Sequence, residues 1–380
     1  MEKTKTTPSA ALSAASPGRI EFIGNHTDYN GGRVLGVALN LGVTATAVPR
    51  SDGQLTISSC GSPVTYTGKL GQFNPQSGEF SWVNYPLGVM AVLAEAGYSL
   101  RRGFDLSFTS DLPSGAGLSS SAAIELATME VLAAVGGFEI TRTRKVLLAQ
   151  RAENTFVGVP CGILDQAVSC FGKRDHLVHI DCAKTTFETV PLPRGLHFWI
   201  FNTNCKHSLV DSLYSRRHAE CREALKLLQR ADPGLEFLVD GDWGALPSLN
   251  ASPEIQHRAK HVIEENKRVC ACLEALEKGD LTAVGDLLFA SHASSRDLFE
   301  NSTPELNTLV RLLEQERGSG VVGARLTGGG FGGAVMALTT DAFTHERAKV
   351  VIAAYAEEHK EAPTPGCLHV VTGEGTRRLD

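Results

Sequence analysis

The sequence predicts an α+β protein of two lobes, and three observations carry that expectation. The chain has 380 residues, more than one hydrophobic core ordinarily serves. Its first half alternates short strand-like runs with glycine-rich turns, whereas its second half is dominated by long amphipathic stretches. Hydrophobic residues make up 42% and charged residues 21%, the balance of a folded globular chain rather than a disordered one. A net charge of −6 argues against nucleic-acid binding by bulk electrostatics and still permits a local basic pocket. No apolar run approaches the roughly 20 residues that cross a bilayer, so no membrane association is expected. Residues 1–16 are rich in Ala, Ser and Thr and lack the apolar core of an export signal. They are expected to be a disordered tail on a cytoplasmic protein.

The elements follow from pattern and punctuation. Residues 34–48 are rich in Val, Leu, Thr and Ala between Gly31-Gly32 and Pro49-Arg50, and read as a strand, as do 55–59 and 104–109. Residues 82–96 carry apolar groups at helical spacing, with Gly97 as the stop. Residues 119–135 open on hydroxyls and close on Gly136-Gly137, a well-punctuated helix. A strand at 195–202 precedes amphipathic helices at 216–230, 254–277, 281–299 and 304–316, where Pro304 suits a first turn. The chain closes with a strand (334–339), a helix (342–359) and a strand (368–372). A boundary near 191–194 divides an N-terminal lobe, 17–190, from a C-terminal lobe, 191–380. That boundary is soft, because a late strand can return to the first lobe. The nine cysteines are odd in number and scattered, which speaks against a disulfide framework. Cys270 and Cys272 lack zinc spacing.

Three glycine-punctuated segments carry the chemistry. Residues 16–32 gather Arg19, Asn25, His26, Asp28 and Tyr29, a set that can fan polar groups toward a polyol; an ordinary polar turn uses the same residue types. Residues 112–123 run Leu-Pro-Ser114-Gly115-Ala116-Gly117-Leu118-Ser119-Ser120-Ser121-Ala-Ala. Its glycines allow close backbone approach, and the following helix aims free N–H groups at an anion such as triphosphate. The serines add donors and potential magnesium ligands. The competing reading is a capped helix after a flexible turn. No Gly-Lys-Ser/Thr follows, so this is not a Walker loop. In 326–334, Gly328, Gly330 and Gly333 match dinucleotide-fingerprint spacing. A strand-like run follows instead of the required helix, and the dehydrogenase reading fails. Asp165 stands in the otherwise apolar stretch 158–166, where an acid needs a partner or a task. Glu153 is a second acid nearby.

Taken together, Pro17-Gly-Arg19, Gly24-Asn-His26-Thr-Asp28-Tyr-Asn-Gly-Gly32, 112–123, Pro160-Cys-Gly162-Ile-Leu-Asp165-Gln166 and 326–333 resemble the galactokinase family of the GHMP small-molecule kinases. The likeness extends over about residues 16 to 373 and includes 202–208 and 302–306. It implies a two-lobed GHMP-kinase-like fold with the active site between the lobes. It implies ATP-dependent phosphorylation of the anomeric hydroxyl of galactose, with Mg²⁺ required. Under the resemblance, Asp165 is the base and Arg19 stands beside it; Asn25, His26, Asp28, Gly162 and Tyr214 surround the sugar. Residues Ser114, Gly115, Ala116, Gly117, Leu118, Ser119, Ser120 and Ser121 hold the nucleotide phosphates, and Trp82 contacts adenine. Ser121 and Glu153 face the metal. Leu87 stands where the family often carries Lys. Asn25 replaces the family's usual glutamate at the far end of the sugar, which opens the alternative of galacturonate or a 6-modified galactose. A further alternative is a catalytically inert regulator that binds galactose and ATP. A free carboxylate has a pKa of about 3.9, so Asp165 can take the hydroxyl proton only late, as the new bond forms.

Overall fold

The computed structural model describes residues 11–113, 115–205 and 210–379. Its first sheet has eight strands. The main path runs β12 (Arg377–Leu379), β1 (Leu12–Ile23), β2 (Arg33–Pro49), β5 (Phe104–Ser110), β3 (Gln54–Ser59), β4 (Tyr66–Lys69). A branch adds β6 (His176–Asp181) to β2 and β7 (Thr186–Pro191) to β6. Among the described residues, only β3 and β5 pair in parallel in this sheet. The second sheet is antiparallel throughout, in the order β11 (Gly366–Val370), β8 (Leu196–Asn202), β10 (Ala334–Thr340), β9 (Val321–Thr327).

Helices α1 (Asn84–Glu95), α2 (Ser120–Gly136), α3 (Arg142–Ala152) and α4 (Leu164–Phe171) share one core with the first sheet. The other face of β1 and β2, through Ile20, Phe22, Leu35 and Val37, meets Phe198, Ile200 and Met336 of the second sheet. Helices α6 (Pro253–Lys278) and α7 (Leu281–Ser294) enter the same core. Helices α8 (Pro304–Gln315) and α9 (His345–Glu358) cover the far side of the second sheet, and α5 (Val210–Leu228) packs on α6.

The expected tail needs correction. Residues 12–16 are the start of β1, paired on one side with β2 and on the other with β12. Their small residues give little hydrophobic signal, and backbone pairing to segments distant in sequence makes the strand. Pro17 sits at an irregularity in the β1–β2 register, a place where a missing N–H is tolerated. Residues 1–10 lie outside the described residues. Because β12 returns to β1, a cut at 190 does not separate the chain into two contiguous sheets.

Other differences are local. The stretch 78–83 is a 3₁₀ turn that precedes α1, and 295–299 is a π-helical turn that follows α7. Helix α9 starts three residues later than its pattern suggests, where Thr344 accepts a cap from the Arg347 N–H. The nine cysteines are free.

Candidate active site

Strand β1 alternates its side chains, so Ile20 and Phe22 enter the core while Arg19 and Glu21 share the opposite face. Arg19 donates from Nε to Asp165 Oδ1 at 2.7 Å, and an Nη2 lies 2.6 Å from the same oxygen. Its Nη1 donates to the Gly117 carbonyl at 2.7 Å, and its backbone N–H to Leu118 at 3.1 Å. Asp165 lies in the first turn of α4, and its other oxygen accepts from the Ser119 hydroxyl. Both carboxylate oxygens are therefore held, and one guanidinium ties the aspartate to the 112–121 loop.

The 112–121 loop leads into a helix whose N-cap side chain makes no capping bond. Gly115, Gly117 and Ser119 all adopt positive φ, at 72°, 67° and 55°. Ser119 is the N-cap residue of α2, yet its hydroxyl makes no capping bond because it turns to Asp165. The first-turn N–H groups of α2 are left without the usual side-chain acceptor. They border a cavity of about 540 Å³ lined by Gly115 to Ser121 and by Gly328 to Gly333. The late glycine loop is the β9–β10 connection, with Thr327 opposite Ala334. Ser114 lies outside the described residues. Trp82 does not line this cavity: the 3₁₀ turn sets it edge-on to Phe108, ring centroids 6.2 Å apart, and Tyr85 lines the cavity instead.

A second cavity, of about 350 Å³, adjoins the first and shares Arg19, Gly328 and Gly329 with it. Asn25, His26, Asp28, Glu153, Gly162, Asp165 and Tyr214 all line it. A Cβ on residue 162 would stand 1.8 Å from Asp28 Oδ2, so only glycine admits the aspartate here. Burial, with the charges of Glu21 and Asp165, pushes the Asp28 carboxyl up to about 7. Burial lowers His26 to about 3, so its ring is neutral. Nε2–H then donates to the Gly329 carbonyl at 3.1 Å, and Nδ1 accepts from the Tyr29 hydroxyl at 2.9 Å. The His26 ring also packs against Tyr214 and Phe299. Burial raises the Tyr214 hydroxyl well above its ordinary range.

Glu153 opens a π-helical turn after α3, and burial with the Asp165 charge pushes it up to about 7. Gln166 donates to it at 2.7 Å, and the nearby Ser121 hydroxyl acts to lower its pKa. A buried carboxylate beside a hydroxyl, where the two cavities adjoin, is an all-oxygen donor pair. Magnesium takes such pairs, filling its other positions with phosphate and water. Among the described residues, no group of three or more His, Cys, Asp and Glu is placed to hold a metal by itself.

The Asn25 amide is consumed by the protein. Its Nδ2 donates to Glu21 Oε1 and to the Gly328 carbonyl, both at 2.9 Å. Its Oδ1 accepts from Asn301 at 2.8 Å and from Ser295 at 3.3 Å. The main chain beside it is clamped by α6: Glu265 accepts from the Gly24 and Asn25 N–H groups, and His261 Nε2 donates to the Asn25 carbonyl. Burial lowers His261 to about 4, so the ring is neutral with Nδ1 accepting from Ser294. The sequence reading missed Glu21, His261, Glu265, Ser295 and Asn301. Each is an unremarkable residue in an amphipathic element, and only the alternation of Glu21 with Arg19 on a strand offered a signal.

Residues 2–49 match the galactokinase galactose-binding signature, 84–173 the N-terminal domain of GHMP kinases, and 272–361 their C-terminal domain. The galactokinase of Roseiflexus sp. (strain RS-1) is 38% identical over 340 residues, covering 88% of this chain and 86% of that one. The galactokinase of Glaesserella parasuis is 38% identical over 349 residues, covering 90% and 89%. The structure of Lactococcus lactis galactokinase complexed with galactose superposes with a TM-score of 0.93 at 34% identity, covering 99% of this chain and 97% of that one. Mevalonate kinase of Methanococcus jannaschii, at 18% identity and a TM-score of 0.67, shares the fold.

Proposed function

Since the chain belongs to the galactokinase family of the GHMP kinases, we propose that it transfers the terminal phosphoryl group of ATP to the anomeric hydroxyl of galactose, yielding galactose 1-phosphate and ADP. The observation that carries this reading is Arg19, which touches both Asp165 and the 112–121 loop where the two cavities meet. Phosphoryl transfer needs positioning and charge stabilisation more than covalent help. The 350 Å³ cavity suits a hexose, and the open N-terminus of α2 suits the phosphates.

In this mechanism Asp165 accepts the sugar proton as the new bond forms. Arg19 holds the carboxylate in place and balances charge on the transferred group. Ser121 and Glu153 would hold Mg²⁺, which neutralises the phosphate oxygens when bound. Asp28, with a carboxyl lifted to about 7, can donate or accept toward a sugar hydroxyl. We place the reaction in the cytoplasm, where nine free cysteines stay reduced. No helix among the described residues is long and apolar enough to cross a membrane.

No observation favours the uronate kinase or the inert regulator. The test is product formation: ATP, Mg²⁺ and a panel of hexoses should give ADP and a hexose 1-phosphate most efficiently with galactose. Absence of turnover with galactose would overturn the reading.

A further inference from the structure

The expected role of position 25, a polar group reaching the far end of the sugar, is not available to Asn25. Both of its amide protons and its carbonyl oxygen are engaged by Glu21, Gly328, Ser295 and Asn301. Glu21 stands differently. It lines the 350 Å³ cavity although it is 4% exposed. Its Oε1 receives the Asn25 amide and lies 2.9 Å from Arg325 Nη2. Its Oε2 has no hydrogen-bond partner among the described residues, and it is not sealed from the cavity as a buried orphan atom. A buried carboxylate with one anchored oxygen and one open oxygen is arranged to accept a hydrogen bond from something that enters.

Its position agrees with that use. Arg19 and Glu21 are two residues apart on the regular part of β1, paired with Ala38 and Gly36. Same-face neighbours on a strand are about 6.6 Å apart, a distance comparable to the reach of a hexopyranose from its anomeric oxygen to its hydroxymethyl group. Arg19 marks the anomeric end through Asp165, so Glu21 marks the other. Arg325 is fully buried, and its guanidinium also contacts Ser291 and the Glu21 and Phe22 carbonyls. It pairs with Glu21 and lines neither cavity, so it does not meet an incoming anion.

We propose that Glu21 is a specificity-determining residue of this enzyme: its open Oε2 accepts the hydroxymethyl hydroxyl of the sugar, and Asn25 serves only to hold it there. The proposal rests on the galactose reading above. It selects a neutral sugar with a hydroxyl donor at that carbon. A carboxylate there has no proton to donate to the Glu21 oxygen, so galacturonate is disfavoured.

Calorimetry on the native protein decides first. Galactose should bind roughly 10- to 100-fold tighter than 6-deoxygalactose, the size of a hydrogen bond to a charged acceptor. Equal affinities would overturn the proposal without any variant. In Glu21→Gln, which keeps the shape and the Asn25 contact, that ratio should shrink severalfold, and galacturonate should gain kcat/KM relative to galactose. An unchanged ranking of the three sugars in a folded variant removes Glu21 from specificity while leaving the galactose reading intact. Failure of the native protein to bind or phosphorylate galactose would instead overturn the galactose reading, and the assignment of Glu21 with it.

Discussion

Both carboxylate oxygens of Asp165 are engaged by the protein, one by Arg19 and the other by Ser119. Such a carboxylate is oriented before substrate arrives, which is where positional catalysis gains most. Asp165→Asn preserves shape but removes proton acceptance, and turnover should fall by roughly 100-fold or more. Affinity for ADP, read by calorimetry, should survive. Near-normal turnover would remove Asp165 from the mechanism. Glu153 gives a pH-dependent prediction at the same scale. Its folded value is pushed up to about 7 from an ordinary 4.5, by burial and then by Asp165. The folded protein therefore holds a proton that the unfolded chain has released, and this group costs stability as pH rises from 4.5 to 7. Asp28 acts in the same sense, whereas His26 and His261, lowered to about 3 and about 4, lose stability as pH falls below 6.5. Only a difference between proteins isolates Glu153. Glu153→Gln should gain stability over the native protein between pH 5 and 7.5, by up to about 3 kcal/mol, in thermal melts without ligand. A constant difference across that range would contradict the assignment. Magnesium nucleotide should stabilise the native protein more at pH 7.5 than at pH 5.5, because the cation requires the carboxylate.

At the scale of elements, the site depends on how α2 begins and how α6 lies against the 24–25 turn. No protein atom stands within 4 Å of a Cβ built on Gly117, whose φ is +67°. A side chain there meets no steric obstacle from the fold, so Gly117→Val would intrude on the cavity and strain the backbone together. Nucleotide affinity should fall while galactose affinity persists; unchanged nucleotide affinity would make the loop merely structural. Helix α6 contributes Glu265, held down to about 2 because Arg268, His261 and Arg325 outweigh its burial. It accepts from two backbone N–H groups and from Ser291 at 2.5 Å, and pairs with Arg268 at 2.6 Å. Glu265→Ala strands those donors and should lower the urea-unfolding free energy by about 3 kcal/mol. A loss under 1 kcal/mol would mean that water or another acceptor replaces the carboxylate.

For the whole molecule, the consequence is a single cleft built from segments far apart in the chain. Strand β1 supplies Arg19 and Glu21, α4 supplies Asp165, α5 supplies Tyr214, and the β9–β10 connection supplies Gly328 and Gly329. The end of the chain contributes as well. Strand β12 closes the edge of β1 through Ser13–Leu379 to Ala15–Arg377, and Ser16 bonds Thr376 at 2.8 Å. Removing residues 374–380 would expose that edge, leaving unpaired N–H and C=O groups. The truncated protein should unfold at lower denaturant and scatter more light on storage. Unaltered behaviour in both would show that β12 is dispensable to the sheet.

The sequence by itself determined the chemistry-bearing segments and most of the regular elements. Gly115, Gly117 and the serines at the start of α2 pointed to a loop with an open helix N-terminus, because local backbone geometry and helix ends are short-range properties. The strand after Gly333 excluded the dinucleotide reading for the same reason. Asp165 became interpretable only in company with Arg19 and the glycine loops, since a single acid in an apolar stretch has several uses. Residues 12–16 were misread because pairing with β12, more than three hundred and fifty residues away, leaves no trace in local composition. The resemblance assigns Trp82 to adenine, but the 3₁₀ turn sets it against Phe108, and Tyr85 lines the cavity. The Asn25 substitution shows the division most clearly. In the sequence it reads as a neutral group facing the sugar. In the folded protein its hydrogen bonds are all spent within the chain, and the carboxylate beside it in the cavity wall is that of Glu21. Hydrogen-bond capacity is a property of residue type, whereas its distribution among partners depends on which segments the tertiary fold brings within about 3 Å of one another.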